Sequence, residues 1–371
     1  MKKFWFFTLL MALLCVALIA SAEETLLDLR GIETTDVEEV AALIDAAEGV
    51  TTVDLTDVPL ALEDCALLRE RYPDVRFLWT LTLYKTTVTA DATKIDFGNA
   101  RIRHLENLPQ FLRCFPDLEE VLMYEATLPP EEREALCEEF PNILFGFTLR
   151  FQSNGYAVRT AEVTAFSTLK DGSPPYLQNN HLWWLPYCPY LKALDIGHNL
   201  IDDLSFLYDA PKLKVLILAC NRVKDLTPLT SQPELEYLEL FINRIEDVTP
   251  LAELKNIKDL NLSFNEGITD ITPLYDFPNL ERLWLSWDKG IPQEQIDKLY
   301  EIYPDAEIVT KSYGSTGVIY LEDGSSAPGW REHPHYPVIY HMFNHGEYVD
   351  WDWDFHTCKW CDIRFSPLFE K

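Results

Sequence analysis

Close to the C-terminal end, His356, Cys358 and Cys361 form an H-x-C-x-x-C cluster, with His341 and His345 upstream. Cys and His at such short spacing are zinc-ligand types. A second CxxC is absent, and in an exported chain such a pair can instead be a disulfide or two ordinary thiols. The reading is therefore no metal and no cofactor, with His356, Cys358 and Cys361 kept as the weak candidate set. Nearby, VDWDWDF places Asp350, Asp352 and Asp354 between Val349, Trp351, Trp353 and Phe355. That alternation predicts a half-buried strand. Residues i and i+2 of a strand stand about 6.7 Å apart, too far for neighbouring carboxylates to share one calcium. The acids are read as a solvated edge. No G-x-S-x-G, Walker loop or H-E-x-x-H occurs. Five of the eight histidines lie after residue 332, yet no Ser-His-Asp order can be drawn from them. Carboxylates abound, but an acid pair without a cleft that desolvates one member has no catalytic meaning. The chain is read as a non-enzyme.

Composition narrows the partners. The 371 residues are 47% hydrophobic and carry 60 acidic against 31 basic side chains, a net charge of −29. Phosphate neutralisation by Lys and Arg drives nucleic-acid binding, so that partner is excluded here, and an anionic membrane surface is disfavoured for the same reason. The first residues, MKKFWFFTLLMALLCVALIASA, combine Lys2 and Lys3, an apolar run and an A-x-A site ending at Ala22. This is the three-part pattern of a secretory signal peptide over residues 1–22, and it predicts a secreted or extracytoplasmic protein. No later run is long enough to span a bilayer. Seven cysteines follow residue 22, an odd number that cannot pair completely within one chain.

The elements that position these side chains come from a repeat. LKALDIGHNLIDDLSFLYDAPK, LKVLILACNRVKDLTPLTSQPE, LEYLELFINRIEDVTPLAELKN and IKDLNLSFNEGITDITPLYDFPN succeed one another from Leu191, with 22, 22, 22 and 23 residues, and LERLWLSWDKG opens a fifth unit. Each fits L-x-x-L-x-L-x-x-N-x-I/L, with Asn199, Asn221, Asn243 and Asn265 in register. Alternating leucines put one face of a short strand into a core that only stacked units can close. The Asn side chain can hold backbone groups where the chain leaves the strand. Asp288 stands at the Asn position of the last unit.

This pattern resembles the leucine-rich repeat family, in its 22-residue, internalin-like bacterial class. The resemblance implies an α/β solenoid, a horseshoe with short parallel strands on its concave face, here followed by an aromatic-rich C-terminal extension. Internalin-like surface proteins usually carry an anchoring module after the repeats. No LPxTG-type motif is visible, so release or non-covalent retention is expected.

Residues 23–180 are expected to be longer, irregular units. Leu27, Val53, Phe77, Ile95, Val121, Phe145 and Val163 serve as strand markers, and RYPDVRFLWTLTL matches EFPNILFGFTLRF at an offset of 68 residues. Each is preceded by an amphipathic helical stretch and followed by a hairpin signal, in a style resembling ribonuclease-inhibitor-like repeats. Residues 181–310 are the regular units, ending in a closing helix and strand within QEQIDKLYEIYPDAEIV, and 311–371 form the extension.

Side chains between the inward leucines should line the concave face in columns. These run Ala193, Val215, Tyr237, Asp259, Arg282, then Asp195, Ile217, Glu239, Asn261, Trp284. Next come Gly197, Ala219, Phe241, Ser263, Ser286, and finally His198, Cys220, Ile242, Phe264, Trp287. Exposed apolar clusters mark interaction sites, and Tyr and Trp are their usual anchors. Ile217, Tyr237, Glu239, Phe241, Ile242, Phe264, Trp284 and Trp287 are the candidate ligand-binding residues, for a protein or glycan. The alternative is a structural cell-envelope scaffold whose concave patch is covered by its own tail. A zinc-dependent hydrolase using the tail is a distant third.

Overall fold

The computed structural model describes residues 18–20, 25–151, 156–168, 176–313, 319–321 and 324–351. They divide into two compact units, Met1–Thr148 and Leu149–Lys371. Among the described residues, no helix is long and apolar enough to cross a membrane. The signal-peptide pattern falls mostly outside the described residues; within it, Leu18–Ala20 pairs antiparallel with Thr25–Asp28.

In the first unit, strands Thr25–Asp28, Thr52–Asp54 and Arg76–Leu78 are parallel, with Leu27, Val53 and Phe77 in register. Lys94–Asp96, Glu120–Leu122 and Leu144–Gly146 repeat the arrangement with Ile95, Val121 and Phe145. These six markers are the predicted ones, and all are buried. Helices fill most of the intervals. Val37–Ala46 starts at Asp36, whose carboxylate accepts the Glu38 N–H at 3.0 Å, and it buries Val40, Ala41, Leu43 and Ile44. Such a cap satisfies one of the four donors a helix start leaves free. Leu62–Arg71 and Pro130–Glu139 occupy the matching places before the Phe77 and Phe145 strands. The hairpin Thr80–Leu83 with Thr86–Thr89 follows the first of them.

The second unit is built on one seven-stranded parallel sheet: Ala165–Ser167, Ala193–Asp195, Val215–Ile217, Tyr237–Glu239, Asp259–Asn261, Arg282–Trp284 and Glu307–Val309. The marker Val163 is corrected to Phe166, which pairs with Leu194. The N–H groups of both Glu162 and Val163 bond to the Arg159 carbonyl, so that stretch is a turn rather than a strand. Leu194, Leu216, Leu238, Leu260 and Leu283 lie side by side, completely buried. On the return path the D-L-T-P-L segments form single 3-10 turns, such as Thr227–Ser231 and Thr249–Glu253. Asp225 accepts the Thr227 N–H at 2.9 Å and Asp247 the Thr249 N–H at 2.8 Å, while proline sits early in the turn, where no N–H is needed.

The asparagines form a ladder between units. Asn221 accepts the Ile201 N–H at 2.9 Å and donates to Ile196 and Leu218 carbonyls at 2.9 and 3.1 Å. Asn243 and Asn265 repeat the pattern one and two units on. One amide thus satisfies buried donors and acceptors of two units at once.

After the closing helix Gln293–Ile302, the C-terminal segment turns back onto the sheet. Ser312–Tyr313, Ile319–Leu321 and Ser326–Ala327 form a small antiparallel sheet. Trp330–Glu332 is a 3-10 turn, and His335–His345 is a helix closed by Gly346 in the left-handed conformation.

Candidate functional site

The sheet register sets the outward columns as the spacing predicts: Ala193, Val215, Tyr237, Asp259 and Arg282 align, as do Asp195, Ile217, Glu239, Asn261 and Trp284. The expectation that Ile217, Tyr237, Glu239, Phe241 and Trp284 face solvent is corrected. All five are buried, because the C-terminal segment packs over them as a second core. Ile319, Trp330, Val338, Ile339 and Met342 supply the covering side chains. Strands that bury one face only read as alternating, and strands buried on both faces read as near-continuous apolar runs; here Asp195, Glu239, Asp259 and Arg282 interrupt that run although they are buried.

Trp330 is the centre of the cover. Its indole N–H is shared between Glu239 Oε1 at 2.7 Å and the Tyr237 hydroxyl at 2.8 Å. Tyr237 also donates to Glu239. The Trp330 ring lies edge-on to Trp284 with centroids 5.6 Å apart. The Arg282 guanidinium stacks 3.9 Å from its centroid and donates to the Trp330 carbonyl at 3.0 Å. Such stacked, desolvated cation–π contacts are among the stronger ones. Further along, Trp351 donates to Glu236 at 2.7 Å and Tyr348 N–H to Thr164 Oγ1 at 2.9 Å. Residues 347–350 carry no strand, so the half-buried strand expected across VDWDWDF is not formed over its described part. His356, Cys358 and Cys361 lie outside the described residues.

Burial shifts the acids held under this cover. It pushes Asp195 up to about 7 and raises Glu239 above the usual carboxylate range. Both line a cavity of ≈ 290 Å³, together with Arg331 and Tyr336. Desolvation also takes His333 down to about 4. Among the described cysteines, all free, Cys65, Cys114 and Cys188 are buried as small core residues, and Cys137 and Cys220 are partly buried.

Three predicted residues remain at the rim. Ile242 is 44% exposed, and Phe264 and Trp287 are half-buried and stacked on each other, with centroids 5.9 Å apart and planes 15° apart. Their column shares a backbone feature that the spacing did not reveal. His198, Cys220, Ile242, Phe264 and Trp287 all have positive φ, between 54 and 70°. The N–H groups of the first four donate to carbonyls of the next unit at 2.7 to 3.0 Å, which fixes the bend just before each Asn. No glycine stands there, and glycine is the usual sequence signal for such a conformation. Beside Trp287 opens a second pocket of ≈ 360 Å³, lined by Asp288, Lys289, Gln293, Thr310 and Lys311 among others. Lys289 Nζ sits 4.5 Å from the Trp287 ring centroid.

Asp288 occupies the Asn position but meets a different donor, since the ladder asparagines accept the N–H two residues past the preceding Asn. It accepts the Asn265 N–H at 2.7 Å, while Oδ2 is buried without a hydrogen-bond partner. Burial pushes this carboxyl up to about 8. A cluster that sequence reasoning missed entirely is Asp259, His333 and His335, whose ligand-type atoms all lie within 4.8 Å of one another. The H-P-H triplet is visible in the sequence, but its carboxylate partner is remote.

Residues 211–253 match the family described as Leucine Rich repeats (2 copies). Among solved structures, internalin C2 of Listeria monocytogenes is similar at 21% identity, covering 53% of this chain and 71% of that chain with a TM-score of 0.29. A second Listeria internalin is 14% identical, covering 78% and 81% with a TM-score of 0.29. A leucine-rich repeat protein of Leptospira interrogans is 15% identical over 73% and 74%, also with a TM-score of 0.29. No curated protein matches. The chain carries leucine-rich repeats, and its fold is an α/β repeat solenoid with parallel strands. Stacked repeats of this kind commonly serve as protein–protein interaction modules.

Proposed function

We propose that the protein is an exported, non-enzymatic recognition module that binds a protein partner at the rim of its repeat sheet rather than across the sheet's centre. The observation that carries this is the contrast along the sheet. The central columns are sealed by the chain's own C-terminal segment, whereas Ile242, Phe264 and Trp287 leave a half-open apolar edge beside a ≈ 360 Å³ pocket. Partly exposed aromatics next to a recess are the usual setting for an anchoring side chain of a partner. Lys289, Gln293 and Thr310 give that recess polar groups to orient it. Of the eight residues read from the sequence, these three keep a binding role; the other five build the platform behind them. Export rests on the N-terminal pattern of Lys2, Lys3, an apolar run and the Ala20-Ser21-Ala22 site.

The second reading, a structural envelope component closed by its own tail, is favoured by the cover itself. The experiment that separates the two places a photo-crosslinking residue at position 242 and captures partners from cell-surface extracts. The binding reading predicts a protein adduct that is lost in a Trp287→Ala background with an unchanged circular dichroism spectrum. An adduct equally strong in both backgrounds, or none above a control placed at Lys94, supports the structural reading instead.

A further inference from the structure

We infer that Asp259, His333 and His335 form a binding site for a first-row divalent metal ion of the Zn(II) type, which clasps the C-terminal segment onto the repeat sheet. This site is separate from the rim and does not depend on it.

The donors come from both sides of the packed interface. Asp259 projects from the Asp259–Asn261 strand and is completely buried. His333 and His335 flank Pro334 at the start of helix His335–His345. One ligand-type atom from each of the three lies within 4.8 Å of the other two. Two imidazoles and a carboxylate suit Zn(II) and its neighbours better than Ca²⁺ or Mg²⁺, which prefer oxygen alone.

The orientation of His335 is the second, independent observation. Its Nδ1 points at Asp259 Oδ2, 2.6 Å away, while Nε2 points at Glu281 Oε2, 3.4 Å away. A metal-bound imidazole characteristically presents its other ring N–H to a carboxylate, which fixes the ring and raises its basicity. In the metal-free arrangement a proton lies between Nδ1 and Oδ2. A metal ion would replace that proton, and the two atoms would separate to about 3.3 Å, as two ligands at about 2 Å from one tetrahedral ion require. His333 Nδ1 accepts the His335 backbone N–H at 3.2 Å, which ties the two imidazoles of the triplet together.

The charges around the site are mixed. Arg282 Nη1 lies 3.5 Å from Asp259 Oδ1, the oxygen not bonded to His335, and Arg282 Nε lies 3.7 Å from Glu307. Asp259 Oδ1 has no hydrogen-bond partner and meets only the Arg282 guanidinium, while Oδ2 takes the hydrogen bond with His335. Asp259 would then bridge a guanidinium and a metal, with Glu281 and Glu307 offsetting the positive charge. Because the site joins strand Asp259–Asn261 to the H-P-H triplet, any ion that binds it stabilises the closed arrangement by mass action.

The test uses the full chain, stripped with a chelator and titrated with Zn(II) by calorimetry, and with Co(II) by absorption. One equivalent of Zn(II) should bind and raise the melting temperature. His335→Gln retains a hydrogen-bond donor for Asp259 but is a poor ligand, and should weaken Zn(II) at least ten-fold. His333→Ala, at a less constrained position, should do the same and abolish the intense Co(II) bands of a low-symmetry site. A double variant with Cys358→Ser and Cys361→Ser should keep the equivalent. The inference is overturned if Zn(II) does not bind, if both histidine variants bind it as the parent does, or if the cysteine substitutions alone remove it.

Discussion

The two units build their strands alike and finish the outward face differently. In the first, Lys94 and Asp96 flank Ile95 and are exposed, while Thr52 and Asp54, which flank Val53, are small polar residues at 7% and 8% exposure. That face is dressed with ion pairs: Lys94 with Glu120 at 2.6 Å, and Arg30 with Asp28 at 2.7 Å. In the second unit every residue of the five strands from Ala193–Asp195 to Arg282–Trp284 is buried. A repeat needs only its inward column to stack. The outward column is therefore free to be a charged, solvated face or the floor of a second core, and the side chains placed there decide which.

Removing the plug should give the largest effect. Trp330→Ala is expected to cost about 3–5 kcal/mol, the range for deleting a buried large aromatic. Urea unfolding followed by circular dichroism reads it, and a loss below about 1 kcal/mol would mean that the covered face is no core at all. A middle-sized effect concerns buried acids. Asp195 and Asp288 titrate in the folded chain at about 7 and about 8, against an ordinary 3.8. Between those limits the folded state binds more protons than the unfolded one. Their contribution is thus most favourable below pH 4 and is lost as pH rises through 7 to 8. Asp28 on the open face has its carboxyl lowered by its hydrogen bond to Arg30, so its contribution has the opposite sign, present above pH 4 and lost on acidification. Asp288→Asn restores the donor that the ladder lacks there and should add about 1 kcal/mol at pH 7, while flattening the decline between pH 4 and 8. A melting profile unchanged by this substitution would contradict the assignment. The smallest effect belongs to the open face: Lys94→Ala should cost under about 0.5 kcal/mol, vanishing in high salt. A larger, salt-insensitive loss would show that this face, too, carries structural weight.

Much of the fold was legible because its cause is local and recurrent. The Asn ladder and the D-x-T-P turns repeat wherever the same backbone donors need partners, so Asn221 and Asn243 announce themselves by spacing. The offset of 68 residues found Phe77 and Phe145 without an Asn ladder to help. Val163 failed because Glu162 and Val163 close a turn on Arg159, a geometry without a periodic signature. The cover was not legible in the same way. Trp330 meets Tyr237 across 93 residues and His335 meets Asp259 across 76, and no pattern within one unit encodes such contacts. A weaker signal did exist: Val215, Ile217 and Tyr237 are too apolar for a solvated face, compared with the exposed Lys94 and Asp96. It pointed to something seated on the sheet and could not say whether that was foreign.

The left-handed column has a thermodynamic consequence. A residue with a Cβ loses about 1–2 kcal/mol in this conformation, and a β-branched one is the worst accommodated. Glycine at any of these positions would relax the backbone. Phe264 and Trp287 offset the strain by stacking on each other, and Cys220 by packing against the inner face of the cover. Ile242 is 44% exposed at φ 54°, the most open of the column's four apolar members. Ile242→Gly should therefore produce a protein harder to unfold and poorer at holding its partner, two properties moving in opposite directions from a single side chain.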